Sequence, residues 1–293
     1  MAVELIQYLY RLSDVNLDVI YQESIKNTIY DYQTPETLCK KNKIPLITTS
    51  KITPKLIEKI RQKKPDIILN AYFSKIFPPK LFNIPRLGTL NIHPGKLPFF
   101  RGAFPTPWYI LNNEKYFYIT IHYINEKIDS GDILVQKKFP IYPGETGHEL
   151  YKRTMKLSTQ MYVENFYKII SNKIKPLVQK GYGSYFNKIE SHYKIDWHQS
   201  RKNIEQRVRV HAPPYFPAYS FIFNKCITIK KVSFYDSEYC SVQGSGIICK
   251  VLDNMQFVVT CTDGCLLIED YDLFPKLKKE DVQVHIRVGH RFI

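Results

Sequence analysis

The first half of the chain alternates between helical and strand-like spacing of apolar residues. Residues 2–12 carry apolar side chains at helical intervals, and a short strand is predicted at 17–22. Thr53 and Pro54 provide an N-cap and a first-turn proline for a helix that Pro65 ends. Nearly all-apolar runs, typical of strands buried on both faces, lie at 66–73, 87–93 and 116–124, with a helix predicted at 106–113. This alternation predicts a mostly parallel α/β sheet covered by helices.

A different pattern begins after residue 140. Thr146 and Glu149 form a capping box for a long helix that continues to about Ile170, and a second amphipathic segment lies at 201–211. The rest is made of short strand candidates, at 218–223, 226–234, 246–252, 256–261 and 265–271. These strands predict a small β-barrel or sandwich. The pattern divides the chain into a first domain at 1–182, a linker at 183–202 and a β-rich C-terminal domain at 203–293.

The chain opens on a helix, whereas a doubly wound domain normally begins with a strand. That first strand is central in such sheets, and its absence would leave backbone groups of its neighbours unpaired. We therefore expect coding sequence upstream of Met1 to supply it, and the 1–293 chain to fold poorly without it.

Composition limits the compartment and the partners. The formal charge of +15 in 293 residues fits an anionic partner, such as RNA, a nucleotide-linked substrate or a polyanionic cofactor. It also fits an AT-rich genome that fills surfaces with lysine, because the basic residues are spread through the chain. The six cysteines include no CxxC pair, so no metal site is expected. The sequence shows no signal peptide and no apolar run of membrane-spanning length, which predicts a cytoplasmic protein without a membrane partner.

Polar side chains follow the ends of two predicted strands. Asn91 and His93 alternate onto the same face, and Pro94-Gly95 ends their strand just after them. Asp129 lies in the turn-rich stretch after the next apolar strand, where Gly131 allows a tight backbone. Because ligands bind beyond the carboxyl ends of parallel strands, the three side chains predict a general acid–base site. An NxH pair and an Asp-Ser-Gly turn are also ordinary structural features, and His122 is interpreted as a packed core histidine.

Three spaced segments resemble the signature of the 10-formyltetrahydrofolate-dependent formyltransferases. They are PDIILNAYFSKIFPPKLF at 65–82, LNIHPGKLPFFRGAFP at 90–105 and IDSGDILVQ at 128–136. The family includes methionyl-tRNA formyltransferase, glycinamide ribonucleotide formyltransferase and nucleotide-sugar N-formyltransferases. Residues 194–210 and 213–232 also resemble the entry to the family's C-terminal domain, so the resemblance covers nearly the whole chain. It implies a Rossmann-like formyltransferase sheet, here without its first strand, followed by an OB-like β-barrel.

The resemblance also implies a role for each site residue. Asn91 matches the asparagine whose amide stabilises the formyl oxygen as it becomes an oxyanion. His93 matches the histidine that handles protons, and Asp129 the aspartate that raises that histidine's pKa; no metal is needed. The implied co-substrate is 10-formyltetrahydrofolate. The residues assigned to its pocket are Lys75, Ile76 and Phe77, then Gly95, Lys96, Leu97 and Pro98, then Asn125, Glu126, Lys127 and Ile128. The pair Gly95-Lys96 stands where the family usually has Ser-Leu.

The function within this family stays open between three readings, two of which differ in the amine acceptor. Members that act on initiator tRNA carry a long basic insertion after the second strand, and 19–46 runs into the next helix without one. This favours a nucleotide-linked amino sugar. The net charge and the β-rich C-terminal domain favour methionyl-tRNA formyltransferase, with initiator methionyl-tRNA as partner. A third reading, prompted by the missing strand, is a non-catalytic RNA-binding protein with a decayed enzyme domain. A homodimer is compatible with each of them.

Overall fold

The computed structural model describes residues 1–22, 34–186, 193–236, 244–274 and 284–293. The helices are α1 (Ala2–Tyr10), α2 (Pro35–Asn42), α3 (Pro54–Lys63), α4 (Pro79–Phe82), α5 (Pro105–Leu111), α6 (Gly147–Ile170) and α7 (Arg201–Val210). The strands before α7 are β1 (Val19–Gln22), β2 (Leu46–Thr49), β3 (Ile68–Asn70), β4 (Thr89–His93), β5 (Arg101–Gly102), β6 (Tyr116–Tyr123), β7 (Ile133–Pro140) and β8 (Tyr185–Phe186). The later strands are β9 (Ala218–Ile222), β10 (Lys225–Tyr235), β11 (Ile248–Val251), β12 (Phe257–Cys261) and β13 (Gly264–Phe274).

The chain forms two compact units. The described residues of the first unit are 1–22, 34–105, 116–140 and 152–186, and those of the second are 106–115, 141–151, 193–236, 244–274 and 284–293. The first unit holds the parallel pair β1–β2, the four-stranded sheet β3–β4–β6–β7 and the short parallel pair β5–β8. Within the described residues, no ladder joins the β1–β2 pair to the four-stranded sheet.

The prediction of a mostly parallel sheet is wrong for these four strands. β3 and β4 are parallel, but β4–β6 and β6–β7 are antiparallel ladders. The connection from His93 to Tyr116 includes β5 and α5, and it returns the chain to the edge at which β4 ends. β6 therefore runs back along β4, with Thr120 opposite His93 and Tyr123 opposite Leu90.

Several of the helices begin where the sequence provides caps. Thr53 accepts the backbone N–H of Leu56 at the start of α3, and Leu56, Ile57 and Ile60 bury one face of that helix. At the start of α6, Thr146 donates to Glu149 and accepts its backbone N–H, which confirms the capping box. Burial of one apolar face against the sheet is what stabilises helices of this length.

The segment that follows α6 has little regular structure, yet it is fixed to the first unit. Leu177 exchanges two backbone hydrogen bonds with Ile133 of β7. Tyr185 and Phe186 form β8 and pair with β5, although the predicted linker begins at 183. A side chain at Gly183 would clash with the Pro98 carbonyl, so glycine allows this close approach.

The second unit is built on a five-stranded antiparallel sheet in the order β11–β12–β13–β10–β9. All five residues of β12 are buried. The apolar core of the second unit also includes Trp197 and residues of α7 such as Ile204 and Val208. The antiparallel β-rich domain is confirmed. Closure into a barrel stays a prediction, since no ladder among the described residues joins β9 to β11.

None of the helices in the described part of the chain has a stretch long and apolar enough to cross a membrane.

Candidate active site

β4 places two polar side chains on one face of the four-stranded sheet. Asn91 and His93 are two residues apart and therefore point the same way. The register sets His122 of β6 beside Asn91 and Thr120 beside His93. Three of these four residues, His93, His122 and Thr120, are buried, although a central sheet position usually holds an apolar side chain.

Asp129 reaches this face because the loop after β6 folds back on itself. β6 is antiparallel to β4, so their carboxyl ends lie at opposite ends of the ladder. The carboxyl ends therefore do not meet, although the sequence predicts that they do. The loop is instead closed by a hydrogen bond from the Tyr123 N–H to the Asp132 carbonyl. A side chain at Gly131 would clash with the Tyr123 carbonyl, so this return requires glycine. Asp129 adopts a left-handed φ of 50° in the loop.

The structure brings the three predicted catalytic residues together. Asn91 Nδ2 lies 3.2 Å from Asp129 Oδ1, and His93 Nδ1 lies 3.5 Å from Asp129 Oδ2. The side chains of His93 and Asp129 are 6% and 11% exposed, so water screens their interaction weakly. Asp129 Oδ2 also accepts the backbone N–H of Gly102 at 2.9 Å.

The second ring nitrogen of His93 is held by the backbone. Nε2 lies 2.6 Å from the Phe100 carbonyl, which can only accept, so Nε2 carries the proton in the neutral ring. Phe100 adopts a left-handed φ of 60°, which costs energy in a bulky residue. A side chain at Gly95 would clash with His93 Nε2 and with the Phe100 carbonyl. The ring therefore presents the lone pair of Nδ1 toward Asp129.

Burial and charge set the protonation states. Burial lowers the pKa of His93 below its usual 6.5, and the Asp129 charge and the Phe100 hydrogen bond oppose this shift only in part. Burial raises the pKa of Asp129, but its interactions with His122 and His93 and the Gly102 N–H outweigh burial and lower it to about 2. At neutral pH the site therefore pairs a neutral imidazole at His93 with a carboxylate at Asp129.

Two groups of side chains support the loops around the cluster. Thr120 donates to the Gly95 carbonyl at 2.6 Å, and Gln136 donates to the Leu97 carbonyl at 3.1 Å. Gln179 donates to the carbonyls of Asp129 and Gly131 at 3.0 and 2.7 Å.

Residues late in the first unit also form hydrogen bonds with β5 and with the residue before it. Gln179 accepts from the Arg101 guanidinium at 2.6 Å. Ser184 Oγ accepts the Phe100 N–H at 3.0 Å. Gln179 and Ser184 lie in a segment without apolar periodicity, so no local sequence pattern predicts these contacts.

The predicted folate residues lie in three loops. Lys75 and Ile76 are exposed after β3, while the ring of Phe77 packs against the apolar cluster of α3 and α4. Gly95 and Leu97 are buried in the turn after β4, with Lys96 exposed between them and Pro98 partly buried. The four residues of the third loop, Asn125, Glu126, Lys127 and Ile128, are all exposed. Asn125 Oδ1 accepts the Lys127 N–H and the Ser130 hydroxyl, which fixes the turn before Asp129.

His122 belongs to the polar cluster, although a lone histidine in an apolar run predicted only core packing. Its Nε2 lies 3.2 Å from Asn91 Nδ2 and 3.5 Å from Asp129 Oδ1. Its Nδ1 lies 2.8 Å from the Tyr123 carbonyl and therefore donates to it. Among the residues that the structure describes, no group of three or more histidine, cysteine or acidic side chains is placed to hold a metal ion.

An α/β unit with an amide–imidazole–carboxylate cluster, followed by an antiparallel β unit, fits a group-transfer enzyme of the two-domain formyltransferase type. Comparison with known families agrees with this class. Residues 25–166 match the family described as "Formyl transferase", and residues 188–281 match "Formyl transferase, C-terminal domain". The chain belongs to the formyl transferase family and is a formyltransferase of that family.

Individual relatives and solved structures match the chain at modest sequence identity. The chain is 36% identical over 199 residues to "Bifunctional polymyxin resistance protein ArnA" of Wigglesworthia glossinidia brevipalpis, covering 66% of this chain and 30% of that protein. It is 28% identical over 247 residues to "Methionyl-tRNA formyltransferase" of Citrifermentans bemidjiense, covering 81% and 74% of the two chains. The structure of an N-formyltransferase from Helicobacter canadensis, in complex with folinic acid and dTDP-3-aminofucose, superposes with a TM-score of 0.71 at 22% identity. That match covers 92% of this chain and 95% of the other, and it shows the shared fold.

Proposed function

We propose that the protein transfers a formyl group from 10-formyltetrahydrofolate to the amino group of a nucleotide-linked amino sugar. The observation that supports the chemistry is the cluster in which Asp129 lies 3.2 Å from Asn91 Nδ2 and 3.5 Å from His93 Nδ1. An amide donor and an imidazole beside a carboxylate are the groups that acyl transfer to an amine requires.

The loops beside the cluster fit a flat, partly apolar donor. Ile76 is 76% exposed and Ile128 is 52% exposed, and each lies in a predicted folate loop. Ile128 directly precedes Asp129 in the chain, so it can contact an apolar part of a donor bound at the cluster. When bound, 10-formyltetrahydrofolate supplies the activated formyl group. The residues that would hold it are 75–77, 95–98 and 125–128.

Each residue of the cluster has a distinct role in this proposal. Asn91 Nδ2 has two N–H groups, which point to Asp129 Oδ1 and His122 Nε2 in the free site; one of them turns to the formyl oxygen, on which negative charge develops. His93 takes a proton from the attacking amine at Nδ1, because Nε2 is already protonated and donates to the Phe100 carbonyl. Asp129 stabilises the resulting imidazolium, which then returns the proton to the departing nitrogen. The Phe100 bond keeps the ring orientation fixed through both transfers.

The choice of an amino sugar rests on the sequence after β1. Residues 23–33 lie outside the described residues, but their composition is known: Glu23 and Asp31 against the single Lys26. A short, slightly acidic stretch is a poor match for a tRNA-binding insertion, since nucleic-acid affinity depends on clustered lysine and arginine. The Helicobacter canadensis structure with dTDP-3-aminofucose is consistent with this acceptor class.

The second candidate acceptor is initiator methionyl-tRNA. The net charge of +15 and the match of 188–281 to the family's C-terminal domain favour it. The intact cluster of Asn91, His93 and Asp129 counts against the third reading, a decayed enzyme that only binds RNA.

The test is formyl transfer from 10-formyltetrahydrofolate to a panel of dTDP- and UDP-linked amino sugars, in parallel with charged initiator tRNA. We expect turnover with one sugar nucleotide and none with the tRNA. His93→Ala is the inactive control, and His198→Ala, which removes an exposed histidine of the second unit, is the matched active control. Transfer to the tRNA alone would replace the amino sugar as acceptor, and transfer to neither would contradict the proposed function.

A further inference from the structure

A row of polar side chains crosses the four-stranded sheet at the level of Asn91. The register pairs Asn70 of β3 with Asn91 of β4, and Asn91 with His122 of β6. Residues paired in this way stand on the same face of a sheet. Asn70 is the last residue of a strand whose other positions, Ile68 and Leu69, are apolar. Asn70 is therefore the one polar side chain of β3, and its hydrogen bonds show what it contacts.

The hydrogen bonds of the row all run in one direction, and two backbone groups set that direction. The Phe73 N–H donates to Asn70 Oδ1 at 2.9 Å, which turns Asn70 Nδ2 toward Asn91. Asn70 Nδ2 then donates to Asn91 Oδ1 at 3.0 Å. At the other end the Tyr123 carbonyl accepts from His122 Nδ1, so His122 Nε2 accepts from Asn91 Nδ2. The Phe73 N–H can only donate and the Tyr123 carbonyl can only accept, so with a neutral His122 ring the row runs in this order.

We propose that Asn70 is a positioning residue that fixes the orientation of the Asn91 amide. An amide rotated by 180° fits the same space, but it would present Oδ1 instead of Nδ2 to a reacting oxygen. Asp129 opposes that rotation from one side because it accepts from Nδ2. Asn70 opposes it from the other side because it supplies the donor that Oδ1 requires. This inference rests on the proposed role of Asn91 as the donor to the formyl oxygen.

Two substitutions separate this role from simple packing. Asn70→Ala removes the donor without adding charge, and Asn70→Asp keeps an acceptor for Phe73 while turning an acceptor toward Asn91 Oδ1. We expect kcat to fall about tenfold for Asn70→Ala and further for Asn70→Asp, with KM for the donor unchanged, since a misplaced oxyanion donor acts on the transition state. The matched control is Asn165→Ala in α6, a buried asparagine whose Nδ2 donates to the Met161 carbonyl; its kcat should not change.

The experiment is a double-mutant cycle in the full chain, with Asn70→Ala measured in the parent and in Asn91→Ala. If Asn70 acts through Asn91, its substitution has little further effect once Asn91 is gone. The side-chain amide resonances of Asn91, assigned by their absence in Asn91→Ala, should shift in Asn70→Ala and stay in place in Asn165→Ala. Equal losses of kcat in both backgrounds, or unshifted Asn91 resonances, would overturn the proposal. A parent without formyl transfer contradicts the proposed function, while the resonances still test the positioning.

Discussion

The sheets of the two units differ in the side chains that they bury on one face. In the second unit, β12 is buried along its whole length and its neighbours are mostly apolar, so the sheet acts as a core. In the first unit, one face of the middle strands holds Asn91, His93, Thr120 and His122, while the alternate positions, such as Ile92 and Ile121, are apolar and buried. Each buried polar group must be hydrogen-bonded to offset its desolvation, and the supporting bonds from Gln136 and Gln179 do this for the loops. The difference indicates that positions which could bury apolar side chains in the first sheet hold the polar groups of the candidate active site instead.

The largest expected effect is on the stability of the second unit. Phe257→Ala removes a fully buried ring from β12, and we expect a loss of about 3–5 kcal/mol in its free energy of unfolding. Phe274→Ala, on a half-exposed ring of β13, should change it by less than about 0.5 kcal/mol. Urea unfolding of the full chain measures both. Equal effects of the two substitutions would refute the distinction between core and surface on which the comparison depends.

The next effect is on activity in the first unit. Asn91→Ala, His93→Ala and Asp129→Asn should each leave the fold intact and lower kcat/KM for formyl transfer at least ~100-fold, as expected for an oxyanion donor or acid–base group. Circular dichroism and steady-state rates with one accepted amine are the measurements. Near-parental activity in His93→Ala would remove the basis for assigning the cluster to catalysis.

A matched pair of threonines compares the two sheets directly. Thr120 donates to the Gly95 carbonyl beside the site, and Thr260 donates to the Gly244 carbonyl in the second unit. Both threonines are buried. Thr120→Val leaves the buried Gly95 carbonyl without its donor, and Thr260→Val leaves the Ile247 N–H without the hydroxyl that accepts it, so each should cost about 1–3 kcal/mol. Only Thr120→Val should also lower kcat, about tenfold, because the turn behind His93 loses its support. Thermal unfolding and rates of both variants test this, and a loss of kcat in Thr260→Val would contradict it.

The smallest effects concern pH. The pKa of His93 is lowered in the folded state, so its neutral form is favoured above pH 6.5, and the acid limb of kcat/KM should lie below that value. Asp129→Asn removes a charge that raises this pKa, so its residual activity should titrate at a still lower pH, whereas Asn91→Ala should leave the profile in place. For stability the sign is the same: the contribution of His93 is present above pH 6.5 and is lost as pH falls through its folded pKa. Acid unfolding of the parent and of His93→Ala measures the effect on stability. An acid limb of kcat/KM above pH 7 would contradict the predicted pH profile of activity.

Local signals were enough to predict most of the elements. α1, α3, α6 and α7 follow apolar periodicity or capping residues, and the five strands of the second unit follow short apolar runs between turns. The direction of β6 could not be predicted in this way, because an apolar run reads the same in either direction. The connection from His93 to Tyr116 is also long enough for a parallel crossover, so its length does not decide between the two arrangements.

The candidate site was predictable only where it is local. The alternation of Asn91 and His93 follows from strand geometry alone. His122 and Asn70 each lie in an apolar run, and nothing in either run reveals the partner on the neighbouring strand. The approach of Asp129 depends on a loop return at Gly131, and its support by Gln179 joins residues from distant segments. Such contacts are properties of the folded chain rather than of any window of sequence.

The support of Asp129 from far along the chain has a consequence for biosynthesis. Gln179 bonds the Asp129 carbonyl across 50 residues, and Ser184 bonds Phe100 across 84. Contacts between distant residues form more slowly than helices, since large loops must close first. A nascent chain that has emerged only to residue 150 would hold Asn91, His93 and Asp129 without the segment that fixes their loops. Enzymatic competence should therefore arise late in translation, after the segment at 177–186 has left the ribosome and docked.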